Sequence, residues 1–95
     1  MNKIVEKIGM PALLEQCAEE CSELTHACLK LARKMREENP TPKTDEECVA
    51  AFIEEVADVQ LCIKTIIESE LVCSEDDILF IKVNKLRRWK ERLGV

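Results

Sequence analysis

Glycine and proline are scarce in this sequence, which has two glycines and three prolines among 95 residues. Because tight turns draw heavily on these two residue types, their scarcity argues against a fold of many short strands. Apolar residues recur with the helical period of 3.6, and no stretch alternates strictly between apolar and polar residues as a strand would. The sequence therefore predicts an all-α fold made of a few long helices.

The first long helix is predicted between Pro11 and the pair Pro40 and Pro42. A short lead covers 2–9, and Pro11 suits the first turn of a helix because its missing N–H costs nothing there. The helical pattern then runs from Leu13 to about Glu38 without a helix-breaking residue. The prolines of the 39–42 segment end the helix, since a residue that precedes proline avoids the α region.

Two further helices are marked by N-capping residues. Thr44 forms a capping box with the glutamate three residues later, so a second helix should run from Asp45 to about Leu71. Ser74 begins a third helix, which carries acids in its first turn and lysines and arginines in its last turns before Gly94. The second helix has the widest apolar arc, and we expect it to lie centrally and to pack against several neighbours.

Length and charge limit the classes of protein to which the chain can belong. Ninety-five residues allow a single domain, 1–95, and a lone domain of this size buries so little surface that self-association is expected. The formal charge of −5 argues against nucleic-acid binding. No apolar run approaches the length of a membrane span, and no signal-type segment follows Met1, so we expect a cytoplasmic protein without membrane partners.

Six cysteines in a short chain raise the question of a disulfide scaffold. Three of them, Cys17, Cys21 and Cys28, share one stripe of the first helix with apolar residues that include Leu13 and Met35. This spacing predicts small buried thiols in a reducing compartment. His26, the single histidine, has no cysteine at a zinc-site spacing, and we expect it on the surface.

Two short acidic clusters lie on consecutive predicted helices. They are Glu19-Glu20-Cys21-Ser22-Glu23 and Glu54-Glu55-Val56-Ala57-Asp58. A single cluster would indicate a solvated helix face. Here each contains an i, i+3 pair beside the apolar arc of its helix, where an uncompensated carboxylate costs several kcal/mol. Oxygen ligands from two facing helices suit Mg²⁺ or Mn²⁺, so Glu20, Glu23, Glu55 and Asp58 predict a divalent metal site.

Basic residues that can bind phosphate occur on the first and third helices. Lys30 lies two turns beyond Glu23, and Lys85, Arg88 and Arg92 follow one another at i, i+3 and i+7. Taken alone, the third-helix group is better explained by compensation of the helix dipole and by packing of its aliphatic stems over apolar neighbours. If the same chain holds a divalent metal site, phosphate binding becomes as well supported as that structural explanation.

The acidic and basic motifs together resemble the MazG-like all-α nucleoside triphosphate pyrophosphohydrolases. The matching motifs are EExxE at 19–23, EExxD at 54–58, and Lys85-Leu-Arg-Arg88 with Arg92. The similarity spans nearly the whole chain, although the two acidic motifs lie further apart than is usual in that family. It implies a homodimer or homotetramer whose helical bundle the partner completes. It also implies Mg²⁺-dependent cleavage of a nucleoside or deoxynucleoside triphosphate to the monophosphate and pyrophosphate.

The resemblance also implies roles for individual residues. The metal ligands would be Glu20, Glu23, Glu55 and Asp58, and Mn²⁺ could replace Mg²⁺. Either Glu20 or Glu23 would orient or deprotonate the attacking water, whereas Glu19 and Glu54 are weaker candidates for any role. The phosphate chain would be held by Lys30, Lys85 and Arg88, with Arg92 a poorer candidate.

Two alternatives keep the helical fold. A phosphoribosyl-ATP pyrophosphatase usually carries a tyrosine–histidine pair after its second acidic motif, where this chain has Val59-Gln60-Leu61-Cys62 and no tyrosine anywhere. A non-catalytic dimerisation or regulatory module would leave the carboxylates as solvated or remnant groups. Base recognition stays open, and Gln16 and Gln60 can each serve it or a purely structural purpose.

Overall fold

The computed structural model describes residues 2–37 and 42–95, and all regular structure within these ranges is α-helical. The helices are α1 (Lys3–Ile8), α2 (Met10–Arg36), α3 (Asp45–Ser69) and α4 (Glu75–Leu93). The all-α prediction is confirmed for these ranges. The predicted number of helices is wrong, because residues 2–37 and 42–95 contain four helices instead of three.

The additional helix is α1, which occupies the segment predicted as a lead. Its first turn is capped by Asn2, whose Oδ1 accepts hydrogen bonds from the backbone N–H of Ile4 at 2.8 Å and of Val5. Gly9 ends the helix with φ at +84°, a conformation that costs glycine little. The buried side chain of Val5 then packs onto the longer helices, so six residues form a stable turn-and-a-half of helix.

The predicted bounds of the three long helices agree with the structure to within a few residues. Helix α2 has Pro11 in its first turn and ends at Arg36, and the predicted end at Glu38 and the 39–41 part of the proline segment lie outside the described residues. The capping box at Thr44 is confirmed, and α3 ends at Ser69, two residues before the predicted end. Helix α4 has a capping box at Ser74 and ends before Gly94.

The core lies between α2 and α3, which pack side by side along most of their length. Helix α1 covers one end of this pair, where Val5, Leu13 and Ile66 form the buried apolar cluster. Met10 and Cys17 pack against the same cluster. Because α2 and α3 are long and joined by a short connection, residues of the two acidic motifs come to the same level of the pair.

Helix α4 leaves this core and has no buried residue. It makes only sparse contact with the other helices, and the Cα radius of gyration is 16.8 Å. The prediction that α3 packs against several neighbours holds on one side only. Its opposite side leaves Val49, Ile53 and Ile63 exposed, with Ile53 61% accessible.

The cysteine stripe is only partly buried. Cys17 is half-buried, whereas Cys21 and Cys28 are exposed, and Met35 at the far end of the stripe is 72% accessible. The prediction of burial is therefore wrong for Cys21 and Cys28, because the face of α2 that packs against α3 is narrower than the apolar stripe in its sequence. All six cysteines are free thiols.

Candidate metal centre

Three carboxylates from two helices meet near the middle of the α2–α3 pair. Glu20 and Glu23 of α2 and Glu55 of α3 each offer an oxygen, and these oxygens all lie within 4.8 Å of one another. Asp58 of α3 is half-buried and interacts with both Glu20 and Glu55. The four residues predicted as ligands are thus brought together, with Asp58 beside the closest three.

The helical spacing explains why these side chains converge. Glu20 and Glu23 are three residues apart on α2, as Glu55 and Asp58 are on α3, so each pair projects from one side of its helix. Glu20 interacts with Asp58, and Glu23 with Glu55. The first acid of the α2 pair thus faces the second acid of the α3 pair, and the second faces the first. Two antiparallel helices with matched acidic motifs produce this arrangement.

Burial and mutual repulsion disfavour the ionised carboxylates. Burial is the main cause that raises the pKa of both Glu20 and Glu55, and the neighbouring negative charges add to it. For Glu55 the largest of these charges is Glu23, and for Glu20 it is Asp58. One oxygen of each residue, Oε2, is buried without a hydrogen-bond partner in the part of the chain that the structure describes.

A glutamine on α2 hydrogen-bonds to one of the clustered carboxylates. Gln16 lies one turn before Glu20 on α2 and donates a hydrogen bond from Nε2 to Glu20 Oε1 at 2.8 Å. This bond opposes the rise in the pKa of Glu20 and fixes the carboxylate with its other oxygen turned inward. Gln16 therefore orients Glu20, a structural purpose that the sequence leaves open. Gln60, in contrast, is exposed and lines a separate surface recess on α3.

A cavity of about 240 Å³ opens beside Glu23 and Glu55. It is also lined by His26, Ala27, Lys30, Lys43, Cys48 and Ala51. Its lining includes small side chains, among them the buried thiol of Cys48, which is 4% accessible. Lysines from α2 and from the connection before α3 place positive charge next to the carboxylate cluster.

Only some of the residues that line this cavity are predictable from the sequence. Lys30 was predicted to bind phosphate and lies on the cavity wall, one turn after His26. His26 is exposed, as predicted, yet it also lines the cavity, and its i, i+3 spacing from Glu23 was the available signal. Lys43 carries no periodic signal because it precedes a helix, and only the fold brings it to the cavity.

The basic residues of α4 are not brought to this cavity within one chain. Its lining contains no residue of α4. Lys85, Arg88 and Arg92 instead line a recess of about 650 Å³ on α4 itself. Glu19 and Glu54, predicted as weaker candidates, are both exposed.

Two thiols lie at the opposite end of the cluster from the cavity. Burial raises the pKa of Cys17 and of Cys62, and the carboxylates of Glu20 and Asp58 add to the effect at Cys62. Both thiols are therefore held in the protonated form, which is a poor metal ligand and a poor nucleophile. We assign them no part in the chemistry of the site.

The residues present fit a hard divalent cation. Carboxylate oxygens are the ligands that Mg²⁺ and Mn²⁺ prefer, and a cation would compensate the two buried oxygens that have no hydrogen-bond partner among the described residues. Soft cations would require thiolate or imidazole, and neither occurs in the group of converging ligand atoms.

Comparison with known proteins finds no match for this chain. No model of a protein family matches the chain, and neither the curated proteins nor the solved structures contain a match. Over the described residues, none of the helices combines the length and the apolar character that crossing a membrane requires. The geometry of the carboxylates and of the adjoining cavity therefore carries the functional interpretation.

Proposed function

We propose that this protein is a Mg²⁺-dependent nucleoside triphosphate pyrophosphohydrolase of the MazG-like type, which cleaves an NTP or dNTP to the monophosphate and pyrophosphate. One observation carries the proposal: three carboxylates from two helices converge beside a cavity that two lysines line. A carboxylate cluster binds a divalent cation, and the adjoining positive charge suits a polyphosphate. This combination is what phosphoryl-group chemistry requires.

The proposed metal ligands are Glu20, Glu23, Glu55 and Asp58. Mg²⁺ bound by these carboxylates would neutralise phosphate oxygens and lower the pKa of a coordinated water. Gln16 holds Glu20 in position through its hydrogen bond. Because the pKa values of Glu20 and Glu55 are raised in the absence of a cation, metal binding and proton release should be coupled.

The protein side chains supply the remaining parts of the reaction. Glu20 or Glu23 orients the attacking water or accepts its proton. Lys30 and Lys43 on the cavity wall stabilise negative charge on the phosphate chain. The small side chains of Ala27, Cys48 and Ala51 in the cavity lining leave room for the phosphate chain to lie against α2 and α3.

The test is pyrophosphate release from a panel of the common NTPs and dNTPs with Mg²⁺ or Mn²⁺. We expect Glu20→Gln to lower kcat/KM by roughly 100-fold or more, because one charged ligand is lost. Glu19→Gln is the matched control, since Glu19 is its exposed neighbour on the same helix, and it should retain wild-type activity. An inactive wild-type protein, or equal losses in the two variants, would refute the proposal.

A non-catalytic association module is the second candidate, and the apolar surface left exposed on α3 and α4 favours it. The two functions differ in their response to metal. The enzyme should be stabilised by Mn²⁺, by about 2.7 kcal/mol at a concentration 100 times the dissociation constant. An unchanged melting temperature in millimolar Mn²⁺ would favour the association module.

We also propose that the functional form is a homodimer or homotetramer in the cytoplasm. The exposed apolar side chains on α3 and α4, among them Ile53 and Trp89, support a second copy as the natural cover. Six free cysteines are compatible with a reducing compartment.

A further inference from the structure

Three cysteines lie close together where α2 packs against α3. Cys17 and Cys62 are half-buried, whereas Cys21, one turn after Cys17 on α2, is exposed. The thiol of Cys17 interacts with those of Cys21 and Cys62, and a hydrogen bond joins it to the thiol of Cys21. Cys62 also interacts with Cys21. The proposed metal site uses none of these thiols, so their proximity calls for a separate explanation.

The register of the two helices places Cys17 and Cys62 opposite each other. At one end of the helix pair, Leu13 of α2 and Ile66 of α3 belong to the same buried cluster, against which Cys17 also packs. Cys17 is four residues after Leu13 on α2. Cys62 is four residues before Ile66 on α3, and because the helices are antiparallel, these two steps lead to the same level of the pair.

Helical geometry favours a disulfide between the two helices over one within α2. The Cβ atoms of a disulfide are about 3.5–4.5 Å apart, whereas residues four apart on a helix have Cβ atoms about 5–6 Å apart. A bond between Cys17 and Cys21 would therefore strain α2. A bond between Cys17 and Cys62 joins separate helices, which can approach each other without unwinding.

We propose that these thiols form an oxidant-responsive site, in which hydrogen peroxide attacks Cys21 first and the product is a disulfide between Cys17 and Cys62 that ties α2 to α3. The accessibility of the thiols supports this order, since solvent reaches Cys21 and only partly reaches the other two. The inference does not rest on the proposed pyrophosphohydrolase activity.

The oxidation balances in three steps. Peroxide converts the thiol of Cys21 to a sulfenic acid and is itself reduced to water. The sulfur of Cys17 attacks this sulfenic acid, and a second water leaves as the bond between Cys17 and Cys21 forms. The sulfur of Cys62 then attacks that of Cys17, the strained bond to Cys21 breaks, and Cys21 takes up the proton that Cys62 loses. One peroxide and two thiols thus give one disulfide and two waters.

Contact between the thiols compensates for their low nucleophilicity. Cys17 and Cys62 are held in the protonated form, so neither reacts readily with peroxide in solution. The hydrogen bond between Cys17 and Cys21 places the first attacking sulfur beside its target. Protonation therefore limits the rate of the exchange and leaves its product unchanged.

Disulfide mapping tests the proposal. Reduced protein is treated with equimolar hydrogen peroxide, alkylated with iodoacetamide and digested with a protease that cleaves after glutamate, which places all six cysteines on different peptides. We expect a link between peptides 16–19 and 56–68, which contain Cys17 and Cys62, in a product that runs as a single chain on a non-reducing denaturing gel. A dominant link between other cysteines, a link between chains, or no disulfide would overturn the proposal.

Two serine variants test the order of the steps. Cys21→Ser should slow formation of the link by roughly tenfold or more, because peroxide then has to reach a half-buried thiol. Cys28→Ser is the matched control, since Cys28 is the other exposed cysteine of α2, and it should leave the rate unchanged. Equal rates in Cys21→Ser and wild-type protein would refute the first step at Cys21.

Dimedone, which reacts with sulfenic acids, gives a second measurement of this step on wild-type protein. When dimedone is present with peroxide, it should add to peptide 21–23, which contains Cys21, and lower the yield of the link. An adduct confined to peptide 16–19 or peptide 56–68 would also refute the first step at Cys21.

The melting temperature reports the effect of the disulfide on the fold. The link closes a loop that contains most of α2 and α3, so oxidised protein should melt roughly 10 °C or more above the same sample after dithiothreitol. Cys62→Ser has no such link to form, and its Tm should not rise with peroxide. A linked wild-type protein whose Tm is unchanged or lower would contradict the placement of Cys17 opposite Cys62.

Discussion

Glu20 and Glu55 each bury an oxygen that has no hydrogen-bond partner among the described residues. Such an atom lowers stability unless a cation or a proton compensates it. The chain accepts this cost at the point where two acidic motifs meet, which is typical of a site that is completed by a ligand. The carboxylates should therefore behave differently from exposed glutamates in every measurement that responds to charge.

Substitution of Glu55 by glutamine should separate folding from metal binding. Because Glu55→Gln removes a repelled charge and keeps the shape, we expect Tm to rise by a few °C in metal-free buffer at pH 7. The same variant should lose the stabilisation by Mn²⁺ that wild-type protein shows. Glu54→Gln, at the exposed neighbouring position, should change neither value, and a metal-free Tm that falls in Glu55→Gln would contradict the electrostatic account.

The raised pKa of Glu55 also predicts how this difference varies with pH. The folded chain holds the proton to higher pH than the unfolded chain, so the protonated carboxyl contributes stability at low pH that is lost as the pH rises through the raised pKa. We expect wild-type and Glu55→Gln proteins to melt together near pH 4.5, the ordinary value, and to diverge as the pH rises. Thermal denaturation in metal-free buffers across this range measures the divergence, and a constant difference would contradict the assignment.

Lys30 should affect substrate binding without affecting stability. It is exposed and lies on the wall of the cavity beside Glu23, so Lys30→Ala should lower kcat/KM by roughly 10- to 100-fold, mainly through KM. Lys64→Ala is the control, because Lys64 forms an exposed ion pair with Glu68 far from this cavity. Equal kinetics for the two variants would remove Lys30 from the substrate-binding set.

The acidic residues were predictable from sequence because helical periodicity alone brings i, i+3 pairs together and two matched pairs imply facing helices. The other cavity residues were not. Lys43 lies in a connection, and His26 lies on the flank of α2, where orientation depends on how α3 crosses it. The bond from Gln16 to Glu20 depends on a rotamer that no spacing rule determines.

Among the helices, those with capping signals were the most predictable. Thr44 and Ser74 mark the starts of α3 and α4, because a hydroxyl that accepts an N–H three residues later is a local feature of the sequence. Helix α1 was missed because six residues are too few for a periodic pattern. Its stability comes from the burial of Val5 against α2 and α3, a tertiary contact that the local sequence does not encode.

The capping box at Thr44 should stabilise α3 and, through it, the cavity. Thr44 accepts a hydrogen bond from the backbone N–H of Glu47 at 3.1 Å, and Glu47 accepts one from the backbone N–H of Thr44 at 3.3 Å. Thr44→Ala should lower the free energy of unfolding by about 1 kcal/mol, which corresponds to roughly 4–8 °C in Tm for a domain of this size.

Thr25→Ala is the matched control for the cap. Thr25 lies within α2 and is exposed, and its hydroxyl donates only to the backbone carbonyl of Cys21. Alanine is the better helix former at such a position, so Tm should stay constant or rise slightly. If both variants lose the same stability, the cap at Thr44 has no special importance.

At the scale of the whole molecule, the chain has more apolar surface than its own core can cover. The wide apolar arc of α3 was predictable, but the sequence does not state which neighbour covers each side. One side packs on α2, while the other faces solvent together with α4, where Phe80 is 73% accessible and Trp89 57%. The second copy proposed above would cover this surface, and no single helix of the sequence indicates by itself that a cover is missing.

The stability of such a molecule should depend on its concentration. If association buries the apolar face of α4, dilution releases subunits and lowers Tm by mass action, whereas a monomer melts at the same temperature at every concentration. Leu86 lines the apolar recess, so Leu86→Ser should lower Tm and weaken its dependence on concentration. Arg87→Ser is the control, because Arg87 projects from the opposite side of α4 and pairs only with Glu91 in the described ranges. Wild-type protein whose Tm is constant over a hundredfold dilution, measured by scanning fluorimetry, would show that the exposed face of α4 is not held by a second copy.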